Sequence, residues 1–118
     1  MHTVLASENS NTYPLGGVRI LELGQIIAGT YGSQLLSDLG AEVIKIESPK
    51  GDLGRLASIA PYRGQSGLFL TFNRNKKSMV INLKSDEGLK IFYDLVKISD
   101  VVVDNFRPGV LEKLKMII

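Results

Sequence analysis

Val18-Arg-Ile-Leu-Glu-Leu-Gly-Gln-Ile-Ile-Ala-Gly29 is the stretch whose reading decides the fold. It opens as a strand, because Val18, Ile20, Leu21 and Leu23 are apolar and β-branched residues suit a packed, pleated surface. Gly24 and Gly29 bracket a turn. After it, Tyr31, Leu35, Leu36 and Leu39 share one face of a predicted helix, and Gly40 stops that helix from the C′ position. Glu42-Val-Ile-Lys-Ile-Glu47 is a second strand. Strand, turn, helix and strand within about 30 residues make one βαβ unit, the seed of an open parallel sheet. Such sheets bind small molecules beyond the carboxyl ends of their strands, so the Gly24–Gly29 turn is the first place to expect a ligand.

Downstream, Pro49, Gly51 and Gly54 mark a long loop that runs through Pro61-Tyr-Arg-Gly-Gln-Ser-Gly67, and a loop of this length is often functional or mobile. Leu68-Phe-Leu-Thr-Phe72 is too short for periodicity to separate strand from helix. Met79-Val-Ile-Asn-Leu83 alternates as a third strand. A helix follows from an N-cap at Ser85 to about Ile98, with Asp86 and Glu87 in its first turn and Leu89, Phe92, Tyr93 and Val96 on its packing face. Asp100-Val-Val-Val-Asp104 is a short, buried fourth strand, and Pro108 suits the first turn of a last helix over Val110–Leu114. The chain closes on Lys115-Met-Ile-Ile118, an apolar run that reads as a chain stopping inside a fold, since termini are normally polar.

With 118 residues, 44% of them hydrophobic, the chain has the length and apolar content of one domain or of a piece of a larger one. A net charge of +2, with no long basic run, gives no argument for nucleic acid. The absence of cysteine removes disulfides, thiolate nucleophiles and Cys-based metal sites. No apolar run approaches the roughly 20 residues of a membrane helix, and the first residues lack the pattern of a signal peptide, so a cytoplasmic protein without membrane partners is expected. Residues 1–13 read as a loose polar arm, with the one histidine, His2, as a solvated terminal residue.

Gly24-Gln-Ile-Ile-Ala-Gly29 has the outer spacing of a P-loop without the Lys-Ser/Thr that follows it, and it is not G-x-G-x-x-G. Asn73-Arg-Asn-Lys-Lys77 reads either as a phosphate grip or as a solvated turn. Asp104-Asn-Phe-Arg-Pro-Gly109 sits at another strand end, where an aromatic between Asn and Arg suits stacking on a base; a plain helix-start turn is the alternative. The acidic residues are scattered and form no evident acid/base pair.

Taken in order, Pro14-Leu-Gly-Gly-Val-Arg-Ile-Leu-Glu-Leu23, Leu36-Ser-Asp-Leu-Gly-Ala-Glu-Val-Ile-Lys-Ile-Glu47, Phe72-Asn-Arg-Asn-Lys-Lys-Ser78, Leu83-Lys-Ser-Asp-Glu-Gly88 and Asp100-Val-Val-Val-Asp-Asn-Phe-Arg-Pro-Gly-Val110 resemble the N-terminal part of the class III CoA-transferases, the CaiB/BaiF group. Formyl-CoA transferase belongs to it and, more distantly, α-methylacyl-CoA racemase. The resemblance implies a Rossmann-like three-layer α/β fold with a mostly parallel sheet, here about four strands and three helices and incomplete. It also implies an enzyme that moves CoA between carboxylic acids, in which a catalytic Asp attacks the acyl-CoA thioester and forms mixed-anhydride and aspartyl-CoA intermediates. The partners implied are an acyl-CoA and a carboxylic acid, within an interlocked homodimer; CoA enters as substrate and no metal is expected.

Carried over onto this sequence, the resemblance puts Ala28 beside the pantetheine arm and thioester. Ile81, Asn82, Leu83 and Lys84 flank the adenine, Asn105 and Phe106 hold the pantetheine–adenine region, and Arg107 next to them is counted with the CoA-binding residues. Lys113 stands where formyl-CoA transferase has an Arg for the phosphates. Ile27 and Ser48 replace a Gln and an Arg of that enzyme, which argues against formyl or oxalyl specificity. Asn105 and Asn73-Arg-Asn75 favour transferase over racemase. The catalytic Asp is expected beyond Ile118, so residues 14–118 read as the CoA side of an active site, inactive alone. A racemase-like fragment, a stand-alone CoA- or nucleotide-binding module and an oligomerising scaffold are the alternatives.

Overall fold

The structure, a computed structural model, describes residues 12–116. Most of the polar arm read at 1–13, with His2, lies outside them, as do Ile117 and Ile118. The described elements are β1 (Arg19–Glu22), α1 (Ala28–Asp38), β2 (Glu42–Glu47), α2 (Leu53–Leu56), α3 (Gly67–Asn73), β3 (Lys77–Val80), α4 (Asp86–Lys97), β4 (Val101–Val103) and α5 (Val110–Lys113). The four strands form one sheet in the order β3-β2-β1-β4, parallel throughout. The predicted α/β architecture is therefore present, with two single-turn helices, α2 and α5, among the five described. The chain steps from β1 outward to β3, then crosses back through α4 to β4 on the other side of β1. Right-handed crossovers in opposite directions put α1 and α4 on opposite faces, and the strand order reverses between β1 and β4.

Period-two alternation gives the two faces different chemistry. Leu21, Leu23 and Ile46 point to one face, where Phe92 of α4 is fully buried among them and Ile81 and Met116 complete the cluster. α4 forms as expected: the Ser85 side chain accepts from the Gly88 N–H, Asp86 and Glu87 occupy the first turn, and Lys97 the last. The other face carries Ile20 and Val43 at its lower half, packed by Ala41 and Leu36. Its upper half carries Glu22, Lys45 and Glu47, all buried.

This polar half overturns the predicted packing of α1. The helix buries Gly29, Thr30, Ser33, Gln34 and Ser37, not its apolar stripe. Tyr31, Leu35 and Leu39 remain 48%, 47% and 46% exposed; of the four residues read as sharing one apolar face, only Leu36 packs in the cluster. The reason is the ion-bearing surface beneath, which small and polar side chains can approach and hydrogen-bond while leucines cannot. Tyr31 meets Phe72 of α3 edge-on, ring centroids 5.4 Å apart. Gly40 does end α1 as expected, at φ +101° with its N–H on the Ser37 carbonyl.

Three further expectations shift. The third strand lies at Lys77–Val80, earlier than Met79–Leu83, so Ile81–Lys84 form the connection beyond its carboxyl end. The fourth strand is exposed to half-buried, because β4 is an edge strand of the described sheet. The long loop is interrupted by α2, which Asp52 caps through the Gly54 N–H, and by a tight antiparallel bridge between Tyr62 and Gln65. Leu68–Phe72 resolves as the helix α3, capped by Ser66.

Candidate functional site

A groove of about 450 Å³ opens beyond the carboxyl ends of β1, β2 and β3, within the usual size of ligand pockets. Leu23, Ile46, Ile81 and Phe106 supply apolar lining, and Lys50 and Lys84 are the two cationic residues of its lining. The sheet builds this floor: Leu23 follows directly on β1, Ile46 is the last apolar-face residue of β2, and Ile81 continues the row through its N–H bond to the Glu47 carbonyl. Of the sequence candidates, Ile81, Asn82, Leu83, Lys84 and Phe106 line this one groove. Arg107 and Lys113 are exposed and lie outside its lining. Lys50 was not singled out from sequence; its only signal was a cation just after a strand end.

Asn105 reaches the next turn, the one that leads into Ala28. Asn105 Nδ2 donates to the Gln25 carbonyl, and its Oδ1 accepts the Gln25 N–H, both at 2.9 Å. The side chain thus mimics a β-bridge between the end of β4 and the end of β1. Ala28 is exposed at the first residue of α1. The turn between them is closed by a tight glycine contact: a Cβ on Gly24 would stand 3.0 Å from the Gly29 backbone.

Beneath the turn lies an ion network that the sequence reading missed. Lys45 Nζ is 2.8 Å from Glu22 Oε1 and 2.6 Å from Asp52 Oδ2, and Lys76 Nζ is 2.6 Å from Glu22 Oε2. Ser33 also donates to Glu22. Burial lowers the pKa of Lys76 from its ordinary value, against the opposing pull of Glu22. Lys76 is therefore neither a phosphate grip nor a solvated turn residue; its ammonium group is spent inside the protein, with a further bond to the Thr30 carbonyl. Beside this network, the Arg55 guanidinium holds the Glu47 carboxyl down to about 2, helped by the Ser78 hydroxyl and opposed by burial. A sequence signal existed: Glu22, Lys45 and Glu47 fall on one face of two adjacent strands whose other inward residues are apolar.

A strand-end groove with an apolar floor and two cations suits an elongated ligand that is apolar in part and anionic in part. The model of CoA-transferase family III matches residues 15–117. Human succinyl-CoA:glutarate CoA-transferase is 44% identical over 110 residues, covering 92% of this chain and 25% of the relative. Succinyl-CoA–D-citramalate CoA-transferase of Chloroflexus aurantiacus is 48% identical over 101 residues, covering 85% of this chain and 25% of the relative. A CaiB/BaiF family protein from Brucella suis superposes with a TM-score of 0.81 at 37% identity, over 90% of this chain and 29% of the other. The chain spans about a quarter of the length of the curated relatives it matches. With the family model matching nearly its whole length and the fold shared, the chain belongs to CoA-transferase family III.

Proposed function

We propose that the groove at the ends of β1, β2 and β3 binds CoA, and that the chain supplies the CoA side of an active site that moves CoA between carboxylic acids. One observation carries this reading: Ile81, Asn82, Leu83, Lys84 and Phe106, all expected at CoA from the family resemblance, line a single apolar groove together with Lys50. In this reading Phe106 and the aliphatic floor take the adenine and pantetheine. Lys84 and Lys50 take phosphate oxygens as point charges, and Lys50 offsets the Ser48 that stands where formyl-CoA transferase has an Arg. The turn bearing Ala28 faces the thioester end. Arg107 and Lys113 act only on phosphates that extend beyond the groove.

The nucleophilic Asp that the resemblance implies is assigned outside these 118 residues. Asp52 is buried against Lys45, Asp38 pairs with Arg74, Asp94 with Lys97, and Asp100 accepts the Arg19 N–H. Asp104 accepts the N–H of Phe106, and Asp86 serves the first turn of α4. Chain-only acyl transfer is therefore not expected. For the whole protein, a homodimer acting on an acyl-CoA and a carboxylic acid, succinyl-CoA is the first donor to test, because several of the matched relatives carry it in their names.

Calorimetry or ligand-observed NMR with CoA at low salt tests the groove. The expected Kd is on the order of 0.1–1 mM. Phe106→Ala weakens binding by about 1–3 kcal/mol if the ring stacks on the base. Lys84→Ala and Lys50→Ala weaken it and flatten its salt dependence. CoA lacking the 3′-phosphate separates a phosphate grip from an apolar groove. No signal from millimolar CoA with the folded chain overturns the proposal.

A further inference from the structure

Three consecutive residues of the turn after β1 have backbone polar groups held by side chains from three different parts of the chain. The Gly24 carbonyl accepts from Lys45 Nζ at 2.9 Å. Both polar groups of the Gln25 backbone are taken by the Asn105 amide. The Ile26 N–H donates to Asp52 Oδ1 at 3.1 Å, and the same oxygen accepts the Gly54 N–H at 2.7 Å. Lys45 and Asp52 are 1% and 2% exposed and are themselves an ion pair, so two of the three clamps are locked together below the turn. Ile26 stands at φ +64°, a left-handed conformation that a β-branched residue rarely adopts. Such a backbone persists only where its surroundings over-determine it, and it clusters at ligand sites. Here the surroundings do so with four hydrogen bonds on three residues.

The outcome is directional. Gln25 lines the groove, while Ile26, Ile27 and Ala28 are turned outward at the strand ends. Neither Asn105, Lys45 nor Asp52 lines the groove itself. We infer that Asn105, Lys45 and Asp52 are positioning residues that hold the Gly24–Ile26 backbone in its ligand-ready shape before CoA arrives, Asn105 acting through Gln25 and not as a ligand contact. The inference rests on the CoA reading of the groove. Preorganisation of this kind raises affinity by removing the ordering cost from the binding step.

Asn105 is exposed, so its variants keep the core intact. Amide exchange in the ligand-free chain and CoA affinity are measured for wild type, Asn105→Ala and Asn105→Asp. Asn105→Ala is expected to speed exchange at Gln25 and Ile26 about tenfold or more, with α4 amides unchanged, and to weaken CoA binding about tenfold. Asn105→Asp, which keeps the acceptor for the Gln25 N–H, falls between. Weaker binding with unchanged exchange makes Asn105 a direct contact and overturns the inference. Faster exchange with unchanged affinity makes the clamp purely structural and also overturns it. A folded wild type that does not bind CoA overturns the groove reading and this inference together, and differs from failure of the clamp alone, in which wild type and Asn105→Ala bind equally.

Discussion

Lys76 places its Nζ 2.6 Å from Glu22 Oε2 inside the protein, where the two side chains are 2% and 0% exposed. The pair joins the foot of β3 to the end of β1 across β2, and it continues through Lys45 to Asp52, two cations with two carboxylates. Each charge is removed from water, so each depends on its partner being present.

Lys76→Met would leave Glu22 and Asp52 sharing the single cation of Lys45. The expected loss is about 3–5 kcal/mol, the usual consequence of stranding a buried charge. Glu22→Gln combined with Lys76→Met should recover part of it, because the stranded charge is then gone. Urea denaturation of the three chains checks this; a Lys76→Met chain as stable as wild type would show that the network does not hold this face.

Glu47 makes the pH prediction. Its carboxyl is held at about 2 against an ordinary 4.5, first by Arg55, then by Ser78 and the Asp52 N–H, with burial opposing. A depressed carboxyl stabilises the fold above its unfolded pKa and loses that contribution as pH falls through the folded value, so the window runs from about 4.5 down to about 2. Arg55 is 42% exposed on its side chain, so solvent screening reduces the contribution to about 1–3 kcal/mol. Melting temperature followed from pH 6 to pH 2 (roughly) should fall more steeply for wild type than for Glu47→Gln; parallel curves would remove Glu47 from the acid response.

Gly88 and Gly32 should respond oppositely to alanine. A Cβ at Gly88 would stand 1.9 Å from the Asn82 carbonyl oxygen, whereas one at Gly32 meets nothing within 4 Å. Gly88→Ala forces α4 or the Ile81–Lys84 connection to shift, for a loss of about 1–3 kcal/mol. It should also weaken CoA binding, since Asn82 lines the groove. Gly32→Ala, inside α1, should stabilise by about 0.5–1 kcal/mol through helix propensity. Thermal melts and a CoA titration read both.

The exposed stripe Tyr31, Leu35 and Leu39, with Leu53, Leu56 and Ile59 also exposed, leaves apolar surface that drives association. The isolated 118-residue chain is expected to self-associate, and Leu35→Glu to reduce this without lowering the melting temperature. Sedimentation velocity is the measurement; a wild-type monomer with no binding of an apolar-surface dye would contradict it.

The sequence by itself determined the order of the four strands and of α1, α4 and α5, the parallel α/β architecture and the carboxyl-end location of the groove. Those properties are local: strand alternation in Arg19–Glu22 and Glu42–Glu47, the capped amphipathic α4 with Phe92 inward, and the turn chemistry of Gly40 follow from residues close in the chain. Ile81–Lys84 and Phe106, which the resemblance singles out, line one groove because the topology gathers strand ends. The tertiary structure decided what depends on distant partners. It chose which face of α1 is buried, because Glu22 and Lys45 beneath it favour Thr30 and Ser33 over Tyr31 and Leu35. It turned Lys76 from a surface cation into a buried one. It also set the Asn105 amide on the Gln25 backbone, 80 residues away. A buried charge or an amide bridge takes its meaning from the group it meets, and periodicity along the chain carries no record of that group.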